Sequence, residues 1–293
     1  MRLATIRRNS VEEAAVVLAD SVVPIAAINE RLKHRWPTDL LGLLTSGEFF
    51  RLHDWYSSGG REQCDHLSRE RLPIASVQFG PLYRRPRKIW GIGLNYKAHA
   101  ADLAEKTPNE EPASFMKPDT AIIGPGDTIE IPLQSEKTTG EAELGVIFGR
   151  EGRDVAESQW LSVVAGFTTI LDMTAEDILR RNPRYLTRCK SFNTFFSFGP
   201  VLVTPDEIDD VLRLQVATVI NGRVHAENLV ANMTFPPPYL VAFHSRVMPW
   251  LPGDILSTGT PQAVPLSDGD TLECRIDGFT PLVNPVRDLK VRR

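Results

Sequence analysis

Two glutamates set two residues apart, Glu141 and Glu143, open an apolar stretch that continues through Leu144, Val146, Ile147 and Phe148. Along an extended chain, side chains alternate between faces, so the two carboxylates point one way while Ala142, Leu144 and Val146 point the other. Like charges held side by side near a core repel each other and lose hydration, and a divalent cation offsets both costs. Carboxylate oxygens suit hard ions such as Mg²⁺, Mn²⁺ or Ca²⁺. Taken alone, the pattern fits a solvated strand end with two unrelated surface glutamates better than a metal site.

Further chemistry-bearing residues lie on either side. Asp172 closes the apolar run 163–171 and reads either as the N-cap of a helix over 174–180 or as a third oxygen ligand beside the glutamates. His99 and Asp102 stand three apart; on a helix they share a face, and the carboxylate would orient the imidazole as a base. On spacing alone, an exposed helix carrying unrelated polar groups is the better explanation. Lys190 is a cation for an anionic substrate or an ordinary surface charge. Thr258-Gly259-Thr260-Pro261 is a turn-rich strand exit whose hydroxyls either meet a substrate or merely shape the turn. Gly91-Ile92-Gly93 begins like a dinucleotide loop but runs into Leu94-Asn95-Tyr96, and no phosphate-binding loop, Cys-x-x-Cys pair or Gly-x-Ser-x-Gly elbow is present.

Strands must position most of these residues. The pattern predicts strands over 89–93, 121–123, 143–148, 163–171, 201–204, 212–220 and 271–276, with a hairpin at Asn221-Gly222. Helices are expected over 98–105 and 239–247, the latter with Pro236, Pro237 and Pro238 before or within its first turn. Residues 1–80 read differently: an edge strand over 1–8, a second strand over 13–18, a short helix over 39–44 and a turn at Ser57-Ser58-Gly59-Gly60. The organisation expected is a small N-terminal α+β domain (1–80) ahead of a catalytic domain (85–293). With no regular βα alternation, the class expected is α+β and β-rich, closed into a sandwich or barrel-like roll.

Composition narrows the function. A net charge of −4 gives no general attraction to nucleic acid or anionic membranes, and the basic cluster at 84–88 reads as a solvated linker, with a phosphate patch as the lesser alternative. The apolar run 161–171 is too short to span a bilayer. Three scattered cysteines form no metal or disulfide pattern, and Glu12, Glu13 and Asp20 interrupt any signal-like N-terminus, so a reducing cytoplasm is expected.

In order and spacing, a series of separated motifs resembles the fumarylacetoacetate hydrolase family. They are Gly93-Leu94-Asn95-Tyr96 with His99, Phe115-Met116-Lys117-Pro118, Ile123-Gly124-Pro125-Gly126-Asp127, Glu141-x-Glu143, Asp172, Lys190-Ser191-Phe192-x-Thr194 and Pro252-Gly253-Asp254 with Thr258-Gly259-Thr260-Pro261. The resemblance covers residues 85–287. It implies a β-rich catalytic roll, a homodimer and one Mg²⁺-like ion per subunit held by Glu141, Glu143 and Asp172. It also implies His99, oriented by Asp102, as general base on a lid, Lys190 beside metal and substrate, Thr260 at the substrate carboxylate, and Tyr96 lining the pocket.

Two positions depart from the family pattern. Asp102 stands where small bacterial relatives carry Glu, and the family's Asp-x-Ser-Ala-Arg-Asp reads Asp172-Met173-Thr174-Ala175-Glu176-Asp177. An anion at Glu176 would repel an anionic substrate unless Arg180 or Arg181, one helical turn on, supplies the charge. The activity expected is hydrolysis of a carbon–carbon bond in an acylpyruvate-like 2-oxo acid. Decarboxylation, isomerisation or dehydration of a 2-oxo acid is the alternative on the same scaffold. A noncatalytic, Ca²⁺-stabilised carbohydrate-binding sandwich is the alternative from another class; it leaves His99 and Lys190 without work.

Overall fold

Two antiparallel strands, Thr138–Phe148 and Val164–Ala175, are buried along their entire lengths of 11 and 12 residues. Strands covered on both faces read as continuous apolar runs rather than alternating ones, which is why 163–171 stood out in the sequence. In the computed structural model, which describes residues 1–8, 11–96 and 110–291, this pair is the spine of a 14-stranded mixed sheet. On one side follow Val201–Val203, Arg2–Arg8, Val11–Val17, Ser21–Pro24 and Leu72–Pro73; on the other lie Ile255–Ser257, Ile89–Gly93 and Ala113–Lys117.

A second, five-stranded sheet runs Arg223–Leu229, Gln215–Ile220, Thr271–Ile276, Leu282–Asp288 and Ile129–Ile131. It packs against the spine, where the Ala142 N–H donates to Thr218 Oγ1 at 3.1 Å, and against the adjoining strand Phe196–Phe198, where Ser197 Oγ donates to Asn284 Oδ1 at 3.0 Å. The result is the β-rich α+β class expected. It takes the form of a sandwich-like roll, and the described strands do not close into a barrel. The hairpin at Asn221-Gly222 forms with both φ positive, 53° and 78°, as its turn type requires. Helix Pro237–Val247 carries prolines in its first turn, where no N–H is needed.

The N-terminal segment differs from the expectation in one informative way. Arg2–Arg8 is not an edge strand: it lies between Val11–Val17 and Val201–Val203, with Leu3, Ala4, Thr5 and Ile6 buried. Helix Leu40–Thr45 is capped by Asp39, whose Oδ1 accepts the Gly42 N–H at 2.7 Å. Helices Ile25–Leu32, Glu48–Trp55 and Arg61–His66 were not anticipated; all are short, and none begins with a side-chain cap that would announce it. The glycine pair expected as a turn joins the last two of them through Tyr56–Gly60. The helix expected over 98–105 lies outside the described residues. Among the described residues, no helix is long and apolar enough to cross a membrane.

Candidate active site

The ladder between the two long strands sets Glu141 directly opposite Asp172, and Glu143 follows two residues on along the same face. One carboxylate oxygen from each lies within 4.8 Å of the others, and all three residues are buried. Burial removes the reading of Glu141 and Glu143 as a solvated strand end. Asp172 is not a helix cap either: it sits within the strand, and helix Glu176–Arg181 starts later, without a side-chain cap.

Two buried lysines meet the acids. Lys190 Nζ donates to Glu141 Oε2 at 2.9 Å and to Asp172 Oδ2 at 2.8 Å, and the Phe115 ring covers its ammonium at 4.7 Å. Lys117 Nζ donates to the other Asp172 oxygen, Oδ1, at 2.5 Å and to the Met173 carbonyl at 3.3 Å. Thr174 Oγ1 donates to Glu141 Oε1 at 2.5 Å. Glu143 Oε2 accepts from Ser257 Oγ at 2.5 Å and from the Gly259 N–H at 2.8 Å. Gly259 has φ +99°, and an added Cβ would lie 2.8 Å from Asn95 Cβ. The Asn95 amide pins this loop by donating to the Thr258 carbonyl at 2.7 Å and the Phe235 carbonyl at 3.0 Å.

With all five groups ionised, the three carboxylates and two ammoniums would sum to one formal negative charge in a buried cluster. Burial, reinforced by Asp172 and Glu141, pushes the Glu143 carboxyl up to about 8. Desolvation opposes the charge on Lys190, but Asp172, Glu141 and Glu143 outweigh it and hold that ammonium above its ordinary value. For Lys117 the balance reverses: desolvation dominates and lowers it, with Lys190 repelling from the same side. A closely set trio of hard oxygen donors is a chemical fit for Mg²⁺, Mn²⁺ or Ca²⁺.

A cavity of about 530 Å³ opens from Glu141 and Lys190. Thr139, Thr174 and Thr260 give it a polar side, and Ile92, Leu94, Phe115, Leu179, Leu186 and Ala263 an apolar one. Thr260 lines it, with its hydroxyl donating to the Gln262 carbonyl at 3.0 Å. Tyr96 is fully buried and is not among the described lining residues; burial, then Glu143, raises its phenol, whose oxygen has no hydrogen-bond partner among the described residues. His99 and Asp102 lie outside the described residues. Glu176 does face the cavity, and its charge is met by Lys137 Nζ at 2.9 Å and Arg180 Nε at 2.5 Å. Arg181 turns to Asp177 instead.

Sequence reasoning assigned no individual role to Lys117, Thr174, Ser257 or Gly259. Lys117 had a readable signal: in strand Ala113–Lys117, period-two alternation places it on the same face as Phe115. Ser257 and Gly259 reach Glu143 only through the pairing of Ile255–Ser257 with Thr138–Phe148, a register no local pattern specifies.

Comparison with known proteins agrees with this architecture. The family model described as "Fumarylacetoacetate (FAA) hydrolase C-terminal" matches residues 88–287. The mitochondrial oxaloacetate tautomerase of Homo sapiens is 34% identical over 224 residues, covering 73% of this chain and 71% of its own. Maleylpyruvate hydrolase of Sphingobium sp. SYK-6, solved with manganese(II) and pyruvate, superposes with a TM-score of 0.79 at 27% identity, covering 98% of this chain and 99% of that one. The 2-hydroxyhepta-2,4-diene-1,7-dioate isomerase of Mycobacterium marinum gives a TM-score of 0.67 at 32% identity, covering 75% and 82%.

Proposed function

This chain belongs to the fumarylacetoacetate hydrolase family, and we propose that it is a divalent-metal-dependent enzyme hydrolysing a carbon–carbon bond in an acylpyruvate-like β-diketo acid. The observation that carries this reading is the buried Glu141–Glu143–Asp172 trio, gripped by Lys117 and Lys190 at the inner end of the cavity. With those five groups ionised, a divalent ion there would turn one formal negative charge into one positive charge, suited to a 2-oxo carboxylate. The related hydrolase holding manganese(II) and pyruvate supports the same assignment.

In this mechanism Glu141, Glu143 and Asp172 would hold the metal. Ser257 and the Gly259 N–H fix Glu143, while the two lysines fix both oxygens of Asp172. When bound, Mg²⁺ or Mn²⁺ supplies Lewis acidity that stabilises the negative charge of the pyruvate enolate released on cleavage. Lys190, facing the cavity, adds preorganised positive potential at the same end. The Thr260 side of the cavity receives the carboxylate end, and the wall of Ile92, Leu94, Leu179 and Leu186 receives the acyl group and excludes water from it. His99, oriented by Asp102, takes a proton from the water that attacks the distal carbonyl.

The test is turnover of a panel of acylpyruvates, oxaloacetate and deoxy 2-oxo acids with Mg²⁺ or Mn²⁺, with products identified. Acylpyruvates should yield pyruvate and a free acid, and His99→Ala should lower kcat about 10²–10⁴-fold while leaving metal-induced stabilisation intact. Failure of every acylpyruvate to release pyruvate would reject the hydrolase reading. Tautomerisation of oxaloacetate is the second reading, favoured by the 34% identity to the human tautomerase. It uses the same enolate without water attack, and would show as keto–enol conversion with no carbon–carbon cleavage.

A further inference from the structure

Glu176 and Arg180 form a second polar site on the cavity wall, at its open side. The Arg180 side chain is 53% exposed, against 6% for Lys190 at the inner end, and both line the same cavity. Asp172, Thr174 and Glu176 follow one another at alternate positions where the strand Val164–Ala175 runs into helix Glu176–Arg181, roughly 7 Å per step while the chain is extended. The acid site and the arginine site therefore lie apart along one cavity.

Glu176 is itself only 6% exposed in its side chain, so its charge demands compensation, and it receives two cations. Lys137 Nζ approaches at 2.9 Å and Arg180 Nε at 2.5 Å, leaving this end of the cavity with one net positive charge. Arg180 engages Glu176 through Nε alone. Among the described residues, its two terminal amino groups, Nη1 and Nη2, have no hydrogen-bond partner. A guanidinium fixed by one nitrogen and open at the other two presents a planar donor fork, the geometry that accepts a carboxylate bidentately. Leu179 and Leu186 flank it in the cavity lining and would shield such a contact from water.

We propose that Arg180, positioned by Glu176, is a specificity-determining residue that selects substrates carrying a second carboxylate at the end remote from the 2-oxo group. This rests on the reading of the inner site as a 2-oxo acid site, with the glutamate at 176 acting as the arm that aims a cation rather than as a repelling charge.

Two six-carbon probes differing only in the far carboxylate, 2-oxoadipate and 2-oxohexanoate, test it by calorimetric titration of the Mn²⁺-loaded protein. Wild type should bind 2-oxoadipate about tenfold more tightly, the scale of one charge-assisted contact at a half-exposed site. Arg180→Met should lose that preference, and Arg180→Lys should keep part of it, which a merely misfolded variant would not do. Equal affinity of wild type for the two acids, or a preference that survives R180M, overturns the role of Arg180 and leaves the inner site standing. Binding of neither acid overturns the 2-oxo acid reading, and the proposal falls with it.

Discussion

Glu141 and Asp172 face each other across the ladder of the two longest strands, and a single ammonium, that of Lys190, bonds to both. The pairing makes the acidic centre a property of the sheet rather than of a loop. Any shift of register by one residue would turn every one of these side chains to the opposite face.

Glu143→Gln should stabilise the metal-free protein while blunting its response to metal. The substitution replaces a carboxyl whose ionisation burial, Asp172 and Glu141 all oppose, and keeps an oxygen for the Ser257 and Gly259 donors. In chelator, the variant should melt above wild type. Mn²⁺ at one hundred times its Kd, worth about 2.7 kcal/mol to wild type, should raise the variant by much less. Parallel melting curves for the two proteins with and without Mn²⁺ would contradict the assignment of Glu143 as a ligand.

Lys190→Met keeps the length of the side chain and deletes its charge. Oxygens of Glu141 and Asp172 lose a shared buried donor, so the metal-free variant should be destabilised by about 3–5 kcal/mol. Loss of positive potential at the reacting end should also lower kcat about 10²–10³-fold. Denaturant titration and steady-state kinetics measure the two effects separately; a wild-type kcat would exclude Lys190 from the chemistry.

His244 gives the fold an acid sensitivity of its own. It is 2% exposed on helix Pro237–Val247, packed edge-on against Trp90 at 5.4 Å, with Nε2 lacking a hydrogen-bond partner among the described residues. Burial lowers it from 6.5 to about 4, so it is neutral in the fold. Between those values the unfolded chain binds more protons. The stabilisation is therefore complete above 6.5 and is lost as pH falls towards and through 4, by up to about 3 kcal/mol. His244→Gln should flatten the decline of Tm with pH across that window; an unchanged slope would show that the imidazole charges freely inside the fold.

The sequence disclosed parts of this arrangement because local rules sufficed for them. Period-two alternation put Glu141 and Glu143 on one face, and the Asn-Gly turn and the proline-led helix formed where their chemistry directed. Asp172 was ambiguous because an acid at the end of an apolar run fits a cap as well as a ligand; only its cross-strand partner decides. The burial of Glu176 was equally hidden. Its compensation comes from Arg180, which spacing anticipates, and from Lys137, which arrives from the neighbouring strand connection and which spacing does not.

The place of Arg2–Arg8 in the large sheet bears on any attempt to shorten this chain. Arg2–Arg8 covers the outer edge of Val201–Val203, which in turn pairs with Val164–Ala175, the strand that carries Asp172. A fragment starting near residue 85 would bare a row of unsatisfied amides and carbonyls beside Val201, Leu202 and Val203. Such a seam recruits foreign strands. Excision of the leader segment should therefore yield a sticky, self-associating remnant instead of a trimmed enzyme.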